Sequence, residues 1–264
     1  MRIVFVTAIA MLAALPSSAQ EIHAALCLYG CPAESPASND LVIRDIYILS
    51  SNDRTKFADW VAYRVTKATI GESEDRNWEA DPLLAADETL EPDDYTGAFT
   101  ALKTDRGHQA PLASFTGTPH WKDTNLLSNI TPQGSALNRG PWMRLESAER
   151  ALAKGATVDA VYVTTGPLYE GNFGRLPGAD ESHLVPSGYW KVVAVTNGST
   201  IWVAAFIFDQ NTTQSTSHCT GLTTVDEVER RSGLNLFHGL SEATQATLES
   251  APATLANSLG CSGS

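Results

Sequence analysis

Between Asp105 and His108 the chain sets an acid, an arginine, a glycine and an imidazole in four consecutive positions. A histidine exchanges a proton near neutral pH, and a guanidinium grips an anion through two parallel hydrogen bonds. A glycine between them lets the backbone bring both groups to one ligand with no Cβ in the way. Attack of water on a phosphate ester needs these two functions, a base for the water and fixed positive charge for the phosphoryl oxygens. Alone, the four residues fit equally well a loop in which Asp105 and Arg106 pair at the surface and His108 is incidental, because short strings recur by chance.

The sequence that follows adds Asn129, Asn138, Glu146 and Arg150. The formal net charge of −12 argues against general clinging to nucleic acid or to anionic membranes, so a polyanion site has to be a local basic patch. Between Ala101 and Lys154 basic residues outnumber acidic ones, which makes this segment such a patch. Glu146 and Arg150 are four apart and share a helix face, with Leu145, Ala148, Ala151 and Leu152 marking its apolar side. Asn138 falls at the start of that helix, where Pro141 is tolerated only in the first turn. Singly, Asn138 reads as a turn or N-cap residue and Glu146–Arg150 as a surface pair. Arg76, alone among the acids of Glu72–Asp94, reads singly as a neutralised loop residue.

The elements that must position these groups mix strands and helices. Leu41–Leu49, Trp60–Val65, Val158–Thr165, Tyr189–Val195 and Ile201–Phe208 are rich in β-branched and aromatic residues and are expected as strands. The last two join across Asn197-Gly198, a hairpin signal. Helical patterns cover Trp142–Lys154, Val225–Arg231 and Ser241–Leu248. Strands run in meanders without regular βαβ alternation, which predicts an α+β fold with an antiparallel core sheet flanked by helices. No linker, repeat or low-complexity tract divides residues 20–264, so a single domain is expected.

Residues 1–19 have the pattern of a signal peptide: Arg2, the apolar run Ile3–Leu15, and Ser17-Ser18-Ala19 before a cleavage point at Gln20. No later run is long and apolar enough to span a bilayer, so export without a membrane partner is expected. In an oxidising compartment the four cysteines imply disulfides, with three connectivities open. The favoured pairs are Cys27–Cys31 and Cys219–Cys261; the second closes the longer loop, worth roughly 4 kcal/mol in the chain-entropy model. A zinc site is the alternative, although the spacing lacks paired Cys-x-x-Cys.

Taken together the motifs are far more specific. Asp105-Arg106-Gly107-His108-Gln109-Ala110-Pro111-Leu112-Ala113, Ser128-Asn129-Ile130-Thr131-Pro132-Gln133, and Asn138 through Arg150 resemble the DNA/RNA non-specific endonucleases of the Serratia nuclease type, whose site is a ββα-metal motif. The similarity extends to Phe57–Tyr63, Arg76-Asn77-Trp78, Tyr162–Glu170, Phe208–Asn211 and the cysteine placement, nearly the whole mature chain. It implies a secreted hydrolase that cuts single- and double-stranded DNA and RNA and leaves 5′-phosphate ends. By match of motif, His108 is the general base and Asn138 the direct ligand of a Mg²⁺ ion, with Mn²⁺ as a substitute. Glu146 holds a metal-bound water, Arg76, Arg106 and Arg150 grip the phosphate, and Asn129 orients the site. A hard ion that keeps its waters suits one amide and an outer carboxylate. Arg139-Gly140-Pro141 departs from the family pattern, putting an extra cation and a proline beside Asn138.

The resemblance also admits a homodimer. Two other readings compete with it. A catalytically inactive polyanion-binding relative of the same fold would lack part of the set His108, Asn138 and Glu146, and all three are present. An exported phosphatase for small esters is the other, but three arginines suit an extended polyanion better than a monoester.

Overall fold

Side chains alternating with a period of two build the central sheet, which has a core on each face. In chain order the strands are β1 (Asp40–Ile43), β2 (Tyr47–Asn52), β3 (Phe57–Val65), β4 (Thr104–His108) and β5 (Ile130–Gly134). Then come β6 (Val161–Leu168), β7 (Gly188–Thr196), β8 (Ile201–Asp209) and the short β9 (Leu222–Thr223). The helices are α1 (Ala98–Leu102), the single turn α2 (Ser135–Leu137), α3 (Met143–Lys154), α4 (Val225–Ser232) and α5 (Glu242–Ser250). This is a computed structural model, which describes residues 25–251 and 253–262. The expected signal peptide, residues 1–19, and Gln20 lie outside the described residues.

Seven strands form one sheet in the order β1-β2-β3-β6-β7-β8-β9, every neighbouring pair antiparallel. On β3, Val61, Tyr63 and Val65 enter one core, while Trp60 and Ala62 enter the other. The first core packs Leu137, Trp142 and Leu145 under α3; the second packs Val225 and Val228 of α4 with Leu234, Cys27 and Cys31. The α+β architecture expected from the sequence is the one observed. The two disulfides are Cys27–Cys31 and Cys219–Cys261, so the zinc alternative falls. At the β7–β8 hairpin Gly198 takes φ 89°, the left-handed conformation that makes glycine the natural residue there.

Three expectations need correcting. Leu41–Leu49 is not one strand but two, β1 and β2. The chain turns between them, with the Arg44 N–H donating to the Tyr47 carbonyl at 2.9 Å, and the Arg44 side chain leaves the strand direction to pair with Asp81. β6 begins at Val161, later than expected. On α3, Ala151 is exposed and Glu149 is fully buried. A carboxylate tolerates that position because Lys191 and Tyr63 meet it there.

Candidate active site

The motif residues are carried by a β4–β5 ribbon followed by α3. Neither strand has strong β propensity, since one contains glycine and the other proline and glycine. The main sheet holds them in place instead. The Pro132 carbonyl accepts bonds from Tyr189 Oη at 3.2 Å and Gln210 Nε2 at 2.8 Å, while Gln210 Oε1 accepts from the Gly134 N–H at 2.7 Å. Gly107 is used differently from the expectation: a Cβ there would lie 2.5 Å from the Cβ of Gln133. Its missing side chain makes room for the facing strand, not for a ligand. After α2 the chain passes through a wide turn at Asn138–Trp142, kinked at Gly140 (φ −115°, ψ −115°), where a Cβ would meet the Gln214 carbonyl at 2.6 Å. Pro141 is accommodated in this turn before the regular hydrogen bonding of α3 begins.

A cavity of about 710 Å³ brings together Arg76, Arg106, His108, Asn138, Glu146 and Arg150. His108, at the end of β4, is 9% exposed, with Nε2 3.3 Å from Asn125 Oδ1 and its ring 5.3 Å from that of Trp78. Burial pushes its pKa down to about 4; the Asn125 bond works against this and the Arg76 charge adds to it. Near neutral pH the imidazole is therefore uncharged and can accept a proton. With Asn125 Oδ1 as the acceptor, Nε2 carries the hydrogen and Nδ1 is the basic nitrogen.

The cations are held by neighbours yet keep donors free. The Arg106 guanidinium lies over the Tyr95 ring at 5.1 Å and the Trp78 ring at 5.7 Å, and its Nη2 donates to the Pro92 carbonyl at 2.7 Å. Its Nε is buried without an acceptor among the described residues, as is Nη1 of Arg150. Arg150 also donates from Nη2 to Ser147 Oγ at 3.0 Å, and Nη1 stands 4.0 Å from Glu146 Oε2. A buried guanidinium donor without an acceptor is costly unless an anion completes it. Burial raises the Glu146 carboxyl above its ordinary range, opposed by the charges of Lys191 and Arg150.

Asn138 is oriented by Asp105. Its Nδ2 donates to Asp105 Oδ2 at 3.0 Å, leaving Oδ1 without a hydrogen bond among the described residues. Asp105 also accepts from Ser135 Oγ at 2.9 Å and from Arg139 at 2.8 and 2.6 Å. Burial works to raise its pKa, but the bonds from Arg139, Asn138 and Ser135 outweigh it and hold the carboxylate below its usual range. Asp105 is thus an ionised anchor whose acceptors are taken up by its neighbours.

Asn129 does not line the cavity. It is fully buried, accepting from the Ala110 N–H at 2.8 Å and donating to the carbonyls of Ala110 and Thr124, both at 2.9 Å. Those bonds tie the segment leaving His108 to the turn that carries Asn125. Sequence reasoning missed Asn125 itself, which stands in no recognisable pattern. It also missed the fully buried Lys191, whose Nζ lies 3.1 Å from Glu149 Oε1 and 3.2 Å from Tyr63 Oη, behind the Trp142 ring at 4.4 Å. A lone lysine inside the apolar run of β7 was the available signal.

Residues 26–243 match the family model described as DNA/RNA non-specific endonuclease. The chain is 50% identical over 236 residues to a nuclease of Serratia marcescens, covering 89% of this chain and 88% of the relative. It is 30% identical over 239 residues to nuclease C1 of Cunninghamella echinulata var. echinulata, covering 84% and 92% respectively. Among solved structures, the crystal structure of the EndoG/EndoGI complex contains a chain that superposes with a TM-score of 0.68 at 23% identity, covering 81% of this chain and 90% of the other; it shares the fold. With a family model spanning most of its length and a relative at half identity, this chain is a member of the DNA/RNA non-specific endonuclease family.

Proposed function

We propose that this nuclease is exported and hydrolyses phosphodiester bonds in DNA and RNA, single- and double-stranded, leaving 5′-phosphate ends. The observation that carries the reading is one cavity holding an uncharged His108 together with a buried Arg150 donor that has no acceptor among the described residues. His108 Nδ1 takes the proton from the attacking water as the new bond to phosphorus forms, and the bond to O3′ breaks on the opposite side. Arg76, Arg106 and Arg150 hold the non-bridging oxygens, and Asn129 keeps His108 and Asn125 in register.

The donor set fits Mg²⁺. Asn138 Oδ1, oriented by Asp105 and free of other bonds, would hold it directly, and Glu146 would hold it through a water. Bound there, the ion would supply positive charge to the departing O3′. Mn²⁺ is expected to substitute. The assigned contacts are to phosphate, which carries no direct base information and ignores the 2′-hydroxyl, so neither sequence nor sugar is selected.

Supercoiled plasmid and total RNA, each incubated with and without EDTA, test the reading. Both are expected to be degraded, and excess EDTA is expected to stop both. Full activity in EDTA would overturn the metal assignment. Cleavage of DNA with RNA left intact would overturn the indifference to sugar.

A further inference from the structure

Beside the main cavity, with Phe99 and Thr104 lining both, lies a second groove of about 340 Å³ whose walls include Lys103, Ser135 and Phe173. Phe99 is 52% exposed, because α1 buries only Ala98 and turns the ring outward. Arg139 and Lys103 flank that ring at 5.5 and 5.6 Å. Met143, 48% exposed, stands on the wall of the main cavity.

An isolated exposed aromatic needs no explanation. This one is set at the junction of two cavities, between two cations, by an unfavourable piece of backbone. Lys103 takes φ 58°, a left-handed conformation that side chains seldom adopt and that persists where the surroundings impose it. It turns the chain from α1 straight into β4 and so fixes Phe99 beside the motif strand. Its carbonyl accepts from the Ser135 N–H at 2.8 Å, which locks the turn.

We propose that Phe99 and the second groove form a stacking subsite for the nucleobase next to the scissile phosphate, with Lys103 attracting the adjoining backbone. The inference rests on the nuclease reading of the main cavity and adds a residue which that reading does not use. The shared wall of the two spaces and the positive charge of Lys103 beside Phe99 select a nucleic-acid strand as the occupant. Gln210 in its wall is not available to read base edges, because it spends its amide on the Gly134 N–H and on the carbonyls of Pro132 and Pro186. An aromatic face accepts any base, so the subsite adds affinity without adding sequence preference. It favours single strands, since a duplex keeps its bases stacked on each other.

The test pairs Phe99→Ala with short single-stranded DNA in which one abasic residue is walked across the positions flanking the cut. KM and kcat are measured for wild type and variant on each substrate. At one position the abasic residue is expected to raise the wild-type KM roughly 5- to 100-fold. Phe99→Ala is expected to raise KM on the intact strand by a similar factor, and the two changes together by no more than either alone. Phe99→Trp should keep the wild-type values, and a duplex should feel Phe99→Ala less than a single strand does. Multiplying effects, a wild type indifferent to the abasic residue at every position, or equal losses on duplex and single strand would overturn the subsite. A wild type that cuts none of these oligonucleotides would instead overturn the nuclease reading beneath it.

Discussion

Replacing His108 by glutamine should change two quantities that a merely structural histidine would not link. The first is stability against pH. Folding buries the imidazole and takes its pKa from 6.5 to about 4, so between those values the unfolded chain binds a proton that the folded chain refuses. Proton uptake then favours unfolding: the stability tied to the neutral ring is complete above pH 6.5 and is lost as the pH falls towards 4. At about 1.4 kcal/mol per pH unit, the loss is about 3 kcal/mol across that window. Urea unfolding of wild type and His108→Gln from pH 7 to pH 4 isolates this contribution, because the other titrating groups are common to both. The wild type should lose about 3 kcal/mol more than the variant. The second quantity is cleavage, which should fall by about 10²- to 10⁴-fold in the variant. For the wild type, the acid limb of kcat/KM should lie well below pH 6.5. Parallel stability curves, an acid limb centred near 6.5, or near-normal turnover by the variant would each refute the assignment of His108 as a buried neutral base.

Asn138→Ala should raise the Mg²⁺ concentration needed for half-maximal cleavage and lower the rate at saturation, as read from a metal titration; an unchanged titration would remove Asn138 as the ligand. Asp105→Asn removes the carboxylate that orients the Asn138 amide, so it should shift the same titration in the same direction by less, and excess Mg²⁺ should restore most of the rate. Cys219 and Cys261 are 42 residues apart, and replacing both by alanine should cost roughly 4 kcal/mol in urea unfolding, with the metal titration unmoved. Asn129→Leu strands the Ala110 N–H and the carbonyls of Ala110 and Thr124 in the interior, and should cost about 2–5 kcal/mol by the same measurement.

The division between what the sequence reveals and what it hides follows from where each residue's partners lie. Residues whose roles depend on near neighbours were legible. Glu146 and Arg150 share a face because a helix repeats that way, and the Asn197-Gly198 turn pairs Thr196 with Ile201 through local geometry alone. What depends on distant partners was not legible. The β4–β5 ribbon has too much glycine and proline to announce itself, and Tyr189 of the main sheet and Gln210, just after β8, supply what its composition lacks. Burial of Glu149 contradicts the apolar pattern of α3 because its partners, Lys191 and Tyr63, come from strands far away in the chain. Asn125 acquires its role only when the Asn129 bonds draw its turn against the exit of β4. The site is therefore a local motif made effective by non-local support. Variants of the supporting groups should show their effects as altered metal titrations and pH profiles, whereas variants of His108 should remove the chemistry itself.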